Sequence, residues 1–329
     1  MDNKPLTEKL RPLLLENVVG HIENLKILKT WIEKFKSEEF QFPNMLFYGP
    51  PGTGKTSTAK AFAREILGES YPLGLLELNA SNERKLEVVR GRIKEFASCA
   101  PMVGINLVIL DEVENMTADA MAALRRIMEI YNQTTRFILI TNEVDSIIEP
   151  IQSRCAPFMF GKLDDVVMEN YMKNIALSEG IDLQPDTIPI LVKYADGKPR
   201  DALNVLSKLI GQDGNPITKS VLEKIALTSS GTAWEAIYTN VFINPLSSDK
   251  KIVSLIEERG INPKEIIERI LGFLILDEKI PDKIKTTMLI KLAEFDYRLA
   301  MRGTPRIQLR CLVWSFCNVG KEYYVKKQE

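Results

Sequence analysis

Eight consecutive residues, Gly49-Pro50-Pro51-Gly52-Thr53-Gly54-Lys55-Thr56, match the pattern G-x-x-x-x-G-K-[ST]. In such a loop, glycines let successive backbone N–H groups converge on phosphate oxygens, and the following helix adds the positive end of its dipole. Lys55 is expected to reach the β- and γ-phosphates, and the Thr56 hydroxyl to ligate Mg²⁺. The pattern predicts that this loop, together with Ser57, binds a nucleoside triphosphate; the alternative is a glycine-rich turn without a ligand.

An acidic pair follows another apolar segment of the chain. Leu107-Val108-Ile109-Leu110 precedes Asp111 and Glu112, so a strand through the four apolar residues would end at Asp111. A carboxylate at the end of a strand beside a phosphate loop is where Mg²⁺ binds, and Glu112 could polarise an attacking water. Adjacent carboxylates favour hydrolysis over transfer to a small acceptor. The alternative is a pair of ordinary acids at a strand end.

A polar residue also follows the apolar segment Phe137-Ile138-Leu139-Ile140, at Asn142. An amide at that place could orient water against a γ-phosphate. An asparagine after a strand is also typical of a turn. The residue alone does not decide between these interpretations.

Apolar strands separated by helices must position these groups. Segments 45–48, 75–78, 107–110 and 137–140 are predicted strands, and residues 56–67 are a predicted amphipathic helix. Continuous apolar runs are typical of strands buried on both faces of a parallel sheet. After residue 161 the strand signals stop, and Leu289, Leu292, Phe295 and Leu299 recur at helical spacing. We predict an α/β core over 1–162, a small helical domain over 163–231 and a second helical domain over 232–329.

The composition excludes several classes of protein. The chain has 329 residues, 45% of them hydrophobic and 26% charged, which is typical of a globular protein of two or three domains. No run approaches the roughly 18 apolar residues of a membrane helix, and no signal peptide is indicated, so no membrane contact is expected. A single histidine argues against histidine-dependent catalysis, and four scattered cysteines argue against a zinc site. An intracellular, reducing location is expected.

Further segments have patterns more specific than the phosphate loop. They are Thr7-Glu8-Lys9-Leu10-Arg11-Pro12 with Val18-Val19-Gly20, Leu76-Glu77-Leu78-Asn79-Ala80-Ser81-Asn82-Glu83-Arg84, Ala123-Leu124-Arg125-Arg126-Ile127-Met128-Glu129, Ile148-Glu149-Pro150-Ile151-Gln152-Ser153-Arg154-Cys155 and Gly197-Lys198-Pro199-Arg200-Asp201-Ala202-Leu203-Asn204. In this order they resemble motifs of the AAA+ ATPases and, within them, of the small subunits of the replication factor C clamp loader. The resemblance runs from about residue 5 to 320.

The resemblance implies an α/β P-loop AAA+ core with a parallel sheet, then a helical lid, then an all-helical collar. It implies ATP and Mg²⁺ as cofactors, with Thr56 and Asp111 holding the metal ion. The N-terminal box would line the adenine pocket through Arg11, Pro12, Val18 and Val19.

The same resemblance assigns roles to three further polar residues. Asn142 would be sensor 1, and Arg200 would be sensor 2, which contacts the γ-phosphate of its own subunit. Arg154 would be the arginine finger, inserted in trans into the site of a neighbouring subunit. A guanidinium delivered to a transferring phosphate raises the rate by roughly 10³–10⁵.

The chain departs from the family pattern at several positions. The family motif Asp-Glu-Ala-Asp is replaced in this chain by Asp111-Glu112-Val113-Glu114. The family motif Asp-Glu-Arg-Gly is replaced by Asn82-Glu83-Arg84-Lys85. Leu10 stands where an aromatic residue is common, which would weaken stacking on adenine. Pro199 directly precedes Arg200 and would shift the start of that helix. Both acids of the Asp111-Glu112 pair are kept, so hydrolysis is still expected.

A basic stretch at 84–94 is a candidate DNA contact. Arg84, Arg90 and Lys94 are basic, and Arg90 and Lys94 share a helical face away from the apolar residues. The residues alone favour an ordinary solvated face. The resemblance favours contact with the phosphates of primer–template DNA, because this segment belongs to the DNA-facing helices of the family.

The favoured hypothesis is an ATP-hydrolysing subunit of a hetero-pentameric clamp loader. Its expected partners are the other subunits, a sliding clamp of the proliferating cell nuclear antigen type and primer–template DNA. Two alternatives stay open: a scaffold that donates Arg154 but hydrolyses little ATP itself, and another AAA+ ATPase that remodels DNA. The expected location is the nucleus in a eukaryote and the cytoplasm or nucleoid otherwise.

Overall fold

A computed structural model describes residues 5–81, 87, 89–101, 104–210, 250, 263–276, 280–301 and 303–326. The chain divides into two compact units, Met1–Lys219 and Ser220–Glu329. The first unit holds both the predicted core and the described part of the predicted lid. The division at 162/163 stays a prediction, and the one at 231/232 falls outside the described residues.

A five-stranded parallel sheet forms the centre of the first unit, in the order β2-β3-β4-β1-β5. The α/β fold class is therefore confirmed. The strands are β1 (Asn44–Tyr48), β2 (Leu75–Asn79), β3 (Asn106–Asp111), β4 (Thr135–Thr141) and β5 (Cys155–Met159). Because β4 lies between β1 and β3, the loops after these three strands are adjacent at the carboxyl edge of the sheet.

Successive side chains along each strand point to opposite faces of the sheet, and a hydrophobic core forms on each face. Leu107 and Ile109 of β3 pack in one core cluster, and Val108 and Leu110 pack in the other. All four side chains are buried, as expected for a strand covered by helices on both faces. The four predicted strands are confirmed.

The fifth strand was not predicted. It contains Pro157, and its residues at 155–157 and Met159 are not fully buried, so it lacks the continuous apolar run of the other strands. It pairs only with β1 at the edge of the sheet, where a proline is tolerated.

The described helices of the first unit surround the sheet and extend beyond it. They are α1 (Leu6–Lys9), α2 (Ile22–Lys36), α3 (Lys55–Leu67), α4 (Tyr71–Gly74), α5 (Lys94–Ser98), α6 (Ala118–Ile130), α7 (Glu149–Gln152), α8 (Asp165–Glu179), α9 (Ile188–Ala195) and α10 (Pro199–Ile210). Helices α2 and α3 pack in one core cluster, and α5 and α6 in the other. Helix α9 contacts both α8 and α10, and α1 contacts α10. The N-terminal segment is thereby joined to the lid helices.

Three helices make up most of the described part of the second unit. They are α11 (Pro263–Leu276), α12 (Asp282–Ala300) and α13 (Pro305–Lys326). Leu292 and Phe295 are buried in their shared core, with Leu289 and Leu299 packed against it, so the predicted helical spacing is confirmed. Within the described ranges, no helix is long and apolar enough to span a membrane.

Candidate active site

A cavity of about 280 Å³ opens at the carboxyl edge of the sheet, between the loop after β1, the N-terminal segment and the lid helices α8 and α10. Most of the predicted nucleotide-site residues line it. They are Arg11, Pro12, Val18, Val19, Pro51, Gly52, Thr53, Gly54, Lys55, Thr56, Ser57, Asp111, Glu112, Asn142 and Arg200. Gly49 and Pro50 do not line the cavity, but their carbonyl oxygens accept hydrogen bonds from Lys55.

Two glycines explain the shape of the loop after β1. Gly49 has φ +136°, and a Cβ there would lie 2.2 Å from the carbonyl oxygen of Phe160. Gly54 has φ +106°, and a Cβ there would meet no atom within 4 Å. The first glycine permits a close approach to the chain after β5, and the second permits the left-handed turn into α3, beside open space.

Lys55 directs its ammonium group at three protein oxygens. Nζ lies 2.6 Å from the carbonyl oxygen of Gly49, 2.8 Å from that of Pro50 and 3.0 Å from Oδ1 of Asn142. Burial lowers the pKa of Lys55 to about 8, and Asp111 and Glu114 oppose this shift. The lysine is thus a desolvated donor whose N–H groups are all engaged.

Thr56 and Asp111 form the candidate cation site. The Thr56 hydroxyl donates to Oδ2 of Asp111 at 2.7 Å, and Oδ1 accepts from the backbone N–H of Glu112 at 2.9 Å. Burial raises the pKa of Asp111, and these two hydrogen bonds oppose the rise. A hydroxyl and a carboxylate at this separation are the oxygen ligands that Mg²⁺ prefers.

Glu112 sits on a strained backbone. It has φ +55° and ψ +44°, in the left-handed region that glutamate seldom adopts, directly before the 3-10 turn Val113–Asn115. Such a conformation costs about 1–3 kcal/mol and is concentrated at functional sites. Strand β3 ends before this residue, and Glu112 lines the cavity.

Asn142 and Glu114 form a contact that the sequence did not predict. Glu114 Oε1 accepts from Nδ2 of Asn142 at 2.8 Å and from its backbone N–H at 3.3 Å. The sequence distinguishes Glu114 only as a departure from the family pattern. The 28 residues that separate it from Asn142 leave no local signal of the contact.

Arg200 reaches the cavity from the lid. Helix α10 begins at Pro199, a residue preorganised for the first helical position. Arg200 therefore lies in the first turn, and a Cβ on Gly52 would approach the Arg200 Cβ to 3.4 Å. The charge of Arg200 also lowers the pKa of Lys55. Pro199 and the phosphate loop thus bring the lid arginine beside the core.

Two further residues lie at the site, and of these Tyr171 was not predicted to belong to it. Tyr171 of α8 lines the cavity, and burial raises its pKa to about 12. His21 lies behind the loop, with Nε2 3.0 Å from the carbonyl oxygen of Thr53, so Nε2 carries the proton of this hydrogen bond. Burial lowers the pKa of His21, which favours the neutral ring.

Comparisons with known proteins cover nearly the whole chain. Residues 45–163 match the model of the ATPase family associated with various cellular activities, and 220–315 match the replication factor C C-terminal domain. The replication factor C small subunit of Picrophilus torridus is 36% identical over 96% of this chain and 98% of its own length. That of Archaeoglobus fulgidus is 38% identical over 92% and 93%. The chain belongs to the replication factor C small-subunit family.

A eukaryotic relative supports the same membership. Mouse replication factor C subunit 5 is 36% identical over 95% of this chain and 92% of its own length. The chain is therefore a clamp-loader ATPase subunit with an AAA nucleotide-binding domain, as the motifs predicted.

Solved structures of a DNA branch migration motor share the fold. The Holliday junction branch migration motor RuvB of Thermotoga maritima gives a TM-score of 0.58 at 16% identity, over 77% of this chain and 86% of its own. A point variant of the same motor gives 0.59 at 16% identity, over 79% and 88%. Identity this low shows the fold alone.

Arg154, the predicted arginine finger, does not line the nucleotide cavity of its own chain. Arg154 Nη2 is 2.7 Å from Oε1 of Glu129, and Nη1 donates to the carbonyl oxygen of Pro150 at 2.6 Å. It lines a second cavity of about 540 Å³, together with Phe40 and Arg136. The structure therefore brings Asn142 and Arg200 to the site but not Arg154.

The basic stretch is described in part. Val89–Ile93 form a π-helical turn that continues into α5, with Val89 and Ile93 buried and Arg90 and Lys94 exposed. Arg84 lies outside the described residues. A π-turn within a helix is frequent at functional sites.

Proposed function

We propose that this chain binds ATP with Mg²⁺ and acts in a hetero-pentameric clamp loader that opens a sliding clamp of the proliferating cell nuclear antigen type and loads it at primer–template junctions. The observation that carries the proposal is the match to replication factor C small subunits over 92–96% of the chain. Its AAA domain contains Lys55, Asp111 and Glu112 around one cavity.

The chemistry of the cavity fits a nucleotide. Gly54 leaves open space beside backbone N–H groups, and Lys55 supplies an ammonium. Arg11 Nε is buried without a hydrogen-bond partner among the described residues, so a donor on the N-terminal wall is left for a ligand. Thr56 and Asp111 would hold Mg²⁺, which supplies charge neutralisation and orients the phosphates.

Three residues of this chain have separate roles in ATP hydrolysis. Glu112 accepts the proton of the attacking water, and its strained backbone presents the carboxylate at the wall. Asn142 orients that water or the γ-phosphate. Arg200 stabilises the negative charge from the lid, so the position of the lid is coupled to the phosphate.

Arg154 acts in trans on the site of a neighbouring subunit. It does not line its own cavity, and within the described ranges its 40% exposed side chain is held by an exposed carboxylate and a backbone carbonyl. A ring is needed to complete each site under this arrangement, so hydrolysis depends on assembly.

Contact with primer–template DNA is made through backbone phosphates. Arg90 and Lys94 are exposed on the basic helix and form the described part of the proposed surface. Arg84, the third residue of the prediction, lies outside the described residues. Repetition of this surface around a ring would follow a duplex without reading bases.

The chain would act where the genome is replicated, in the nucleus of a eukaryote or in the cytoplasm otherwise.

The test is the ATPase rate of the assembled complex with and without clamp and primed DNA, for wild type, Glu112→Gln and Arg154→Ala. We expect stimulation in the wild type that both variants lose. Loss in Arg154→Ala alone would identify the scaffold function instead. A wild-type complex that responds to neither clamp nor primed DNA would contradict clamp loading and favour another AAA+ activity.

A further inference from the structure

The Asn142 side chain is held between an ammonium and a carboxylate. Its Oδ1 accepts from Lys55 Nζ at 3.0 Å, and its Nδ2 donates to Glu114 Oε1 at 2.8 Å. The reversed amide would set N–H against the ammonium and oxygen against the carboxylate. The two charged neighbours therefore allow one orientation of the amide.

Glu114 makes this contact from a rigid support. It lies in the 3-10 turn Val113–Asn115, where Val113 is fully buried and the backbone N–H groups of Asn115 and Met116 donate to the carbonyl oxygens of Glu112 and Val113. A turn fixed in this way holds its side chain within a narrow range of positions.

The other carboxylate oxygen has no evident structural purpose. Glu114 Oε2 is buried and has no hydrogen-bond partner in the described part of the chain. A buried unsatisfied polar atom lowers the stability of the folded protein, so its presence calls for another explanation. The contact with Asn142 supplies one.

The contact between Glu114 and Asn142 matters most when a nucleotide binds. All three N–H groups of Lys55 are engaged by protein oxygens, so Lys55 must release at least one of them to bind a phosphate. When the released oxygen is Oδ1 of Asn142, the hydrogen bonds to Glu114 are what still orient the amide.

We propose that Glu114 is a positioning residue for Asn142: it occupies one N–H of the side-chain amide and thereby directs the other toward the γ-phosphate. This inference rests on the proposed function, because it requires a triphosphate in the cavity. The active group is the accepting oxygen of Glu114, not its charge. The longer side chain of glutamate, where the family pattern has aspartate, provides the reach to Asn142.

Two substitutions separate the accepting oxygen from the charge. Glu114→Ala and Glu114→Gln both remove the negative charge, but only glutamine keeps an oxygen that can accept from Asn142. Glu143→Ala is the matched control, because Glu143 is an exposed acid next to Asn142 in the chain. The probes are ATPγS and ADP, titrated by fluorescence against the full chain, with ATPase rates measured in the assembled complex.

We expect Glu114→Ala to weaken ATPγS binding about tenfold, as the loss of one hydrogen bond would, while ADP binding stays within about twofold. We expect the ATPase rate to fall with it, and Glu114→Gln and Glu143→Ala to stay within about twofold of wild type throughout. Equal losses in the alanine and glutamine variants, or none in either, would overturn the proposal.

Hydrogen exchange of the nucleotide-free chain gives an independent readout. The backbone N–H of Asn142 donates to Glu114, so its exchange should accelerate in Glu114→Ala and not in Glu114→Gln. Equal exchange in all the chains contradicts the contact itself. A wild-type chain that binds neither nucleotide refutes the proposed function, and exchange still tests the contact with Glu114.

Discussion

Arg154 and Glu129 form an ion pair, with 2.7 Å between Nη2 and Oε1, and their side chains are 40% and 37% exposed. Arg125 lies 3.5 Å from the same carboxylate oxygen. Exposed ion pairs of this kind contribute about 0.2–1 kcal/mol. Under the proposed function, a phosphate bound to a neighbouring subunit would therefore displace Glu129 from Arg154 at little cost.

The first prediction compares the two arginines that contact Glu129. In the assembled complex, Arg154→Ala should lower the rate of ATP hydrolysis at the site that Arg154 completes by at least about 100-fold. The substitution removes the guanidinium that stabilises the negative charge of the transition state. Arg125→Ala, the matched control, should leave the rate within about twofold, and Glu129→Gln within about fivefold. Similar losses in both arginine variants would indicate a damaged interface instead of a missing catalytic group.

The second prediction concerns pH. The pKa of Lys55 is lowered to about 8 in the nucleotide-free chain. A bound triphosphate stabilises the ammonium and raises this pKa, so ATP affinity is greatest below pH 8 and weakens as pH rises through it. Isothermal titration between pH 6.5 and about 9.5 should show this fall. The fall of ATP affinity with rising pH should be absent in Lys55→Met. A fall of the same size in that variant would assign the effect to another group.

The third prediction concerns the basic helix. Replacing Arg90 and Lys94 by alanine should weaken binding of the assembled complex to primed DNA equally for all sequences. It should also reduce the slope of log affinity against log salt by about 0.9 for each phosphate that the helix no longer neutralises. Lys173→Ala is the control, since Lys173 is a lysine of α8 that pairs with Glu169 at 3.6 Å. An unchanged slope in the double variant would contradict phosphate binding by this helix.

The fourth prediction concerns the loop after β1. A Cβ on Gly49 would lie 2.2 Å from the carbonyl oxygen of Phe160, whereas one on Gly161 would meet no atom within 4 Å. Gly49→Ala should therefore lower the free energy of unfolding by about 1–3 kcal/mol. Gly161→Ala should change it by less than about 1 kcal/mol. Denaturant melts of the two variants provide the measurement, and equal midpoints would show that the close approach is relaxed without cost.

The sequence alone determined the parts of the site that lie close together in the chain. Residues 49–56 form the phosphate loop because their glycines, lysine and threonine are contiguous, and the apolar runs before Asp111 and Asn142 identify strands ending at those residues. Parallel strands end at one edge of a sheet, so the convergence of Lys55, Asp111 and Asn142 could be predicted without coordinates.

Only the tertiary structure decided the contacts between residues distant in the chain. Glu114 reaches Asn142 across 28 residues, and Arg154 pairs with Glu129 because α6 and the segment before β5 lie side by side. Tyr171 joins the cavity wall from α8, and β5 pairs at the sheet edge despite its proline. Local patterns record which residues form a strand, a helix or a phosphate loop. Side-chain partners depend on how those elements pack, and packing is decided by the whole chain.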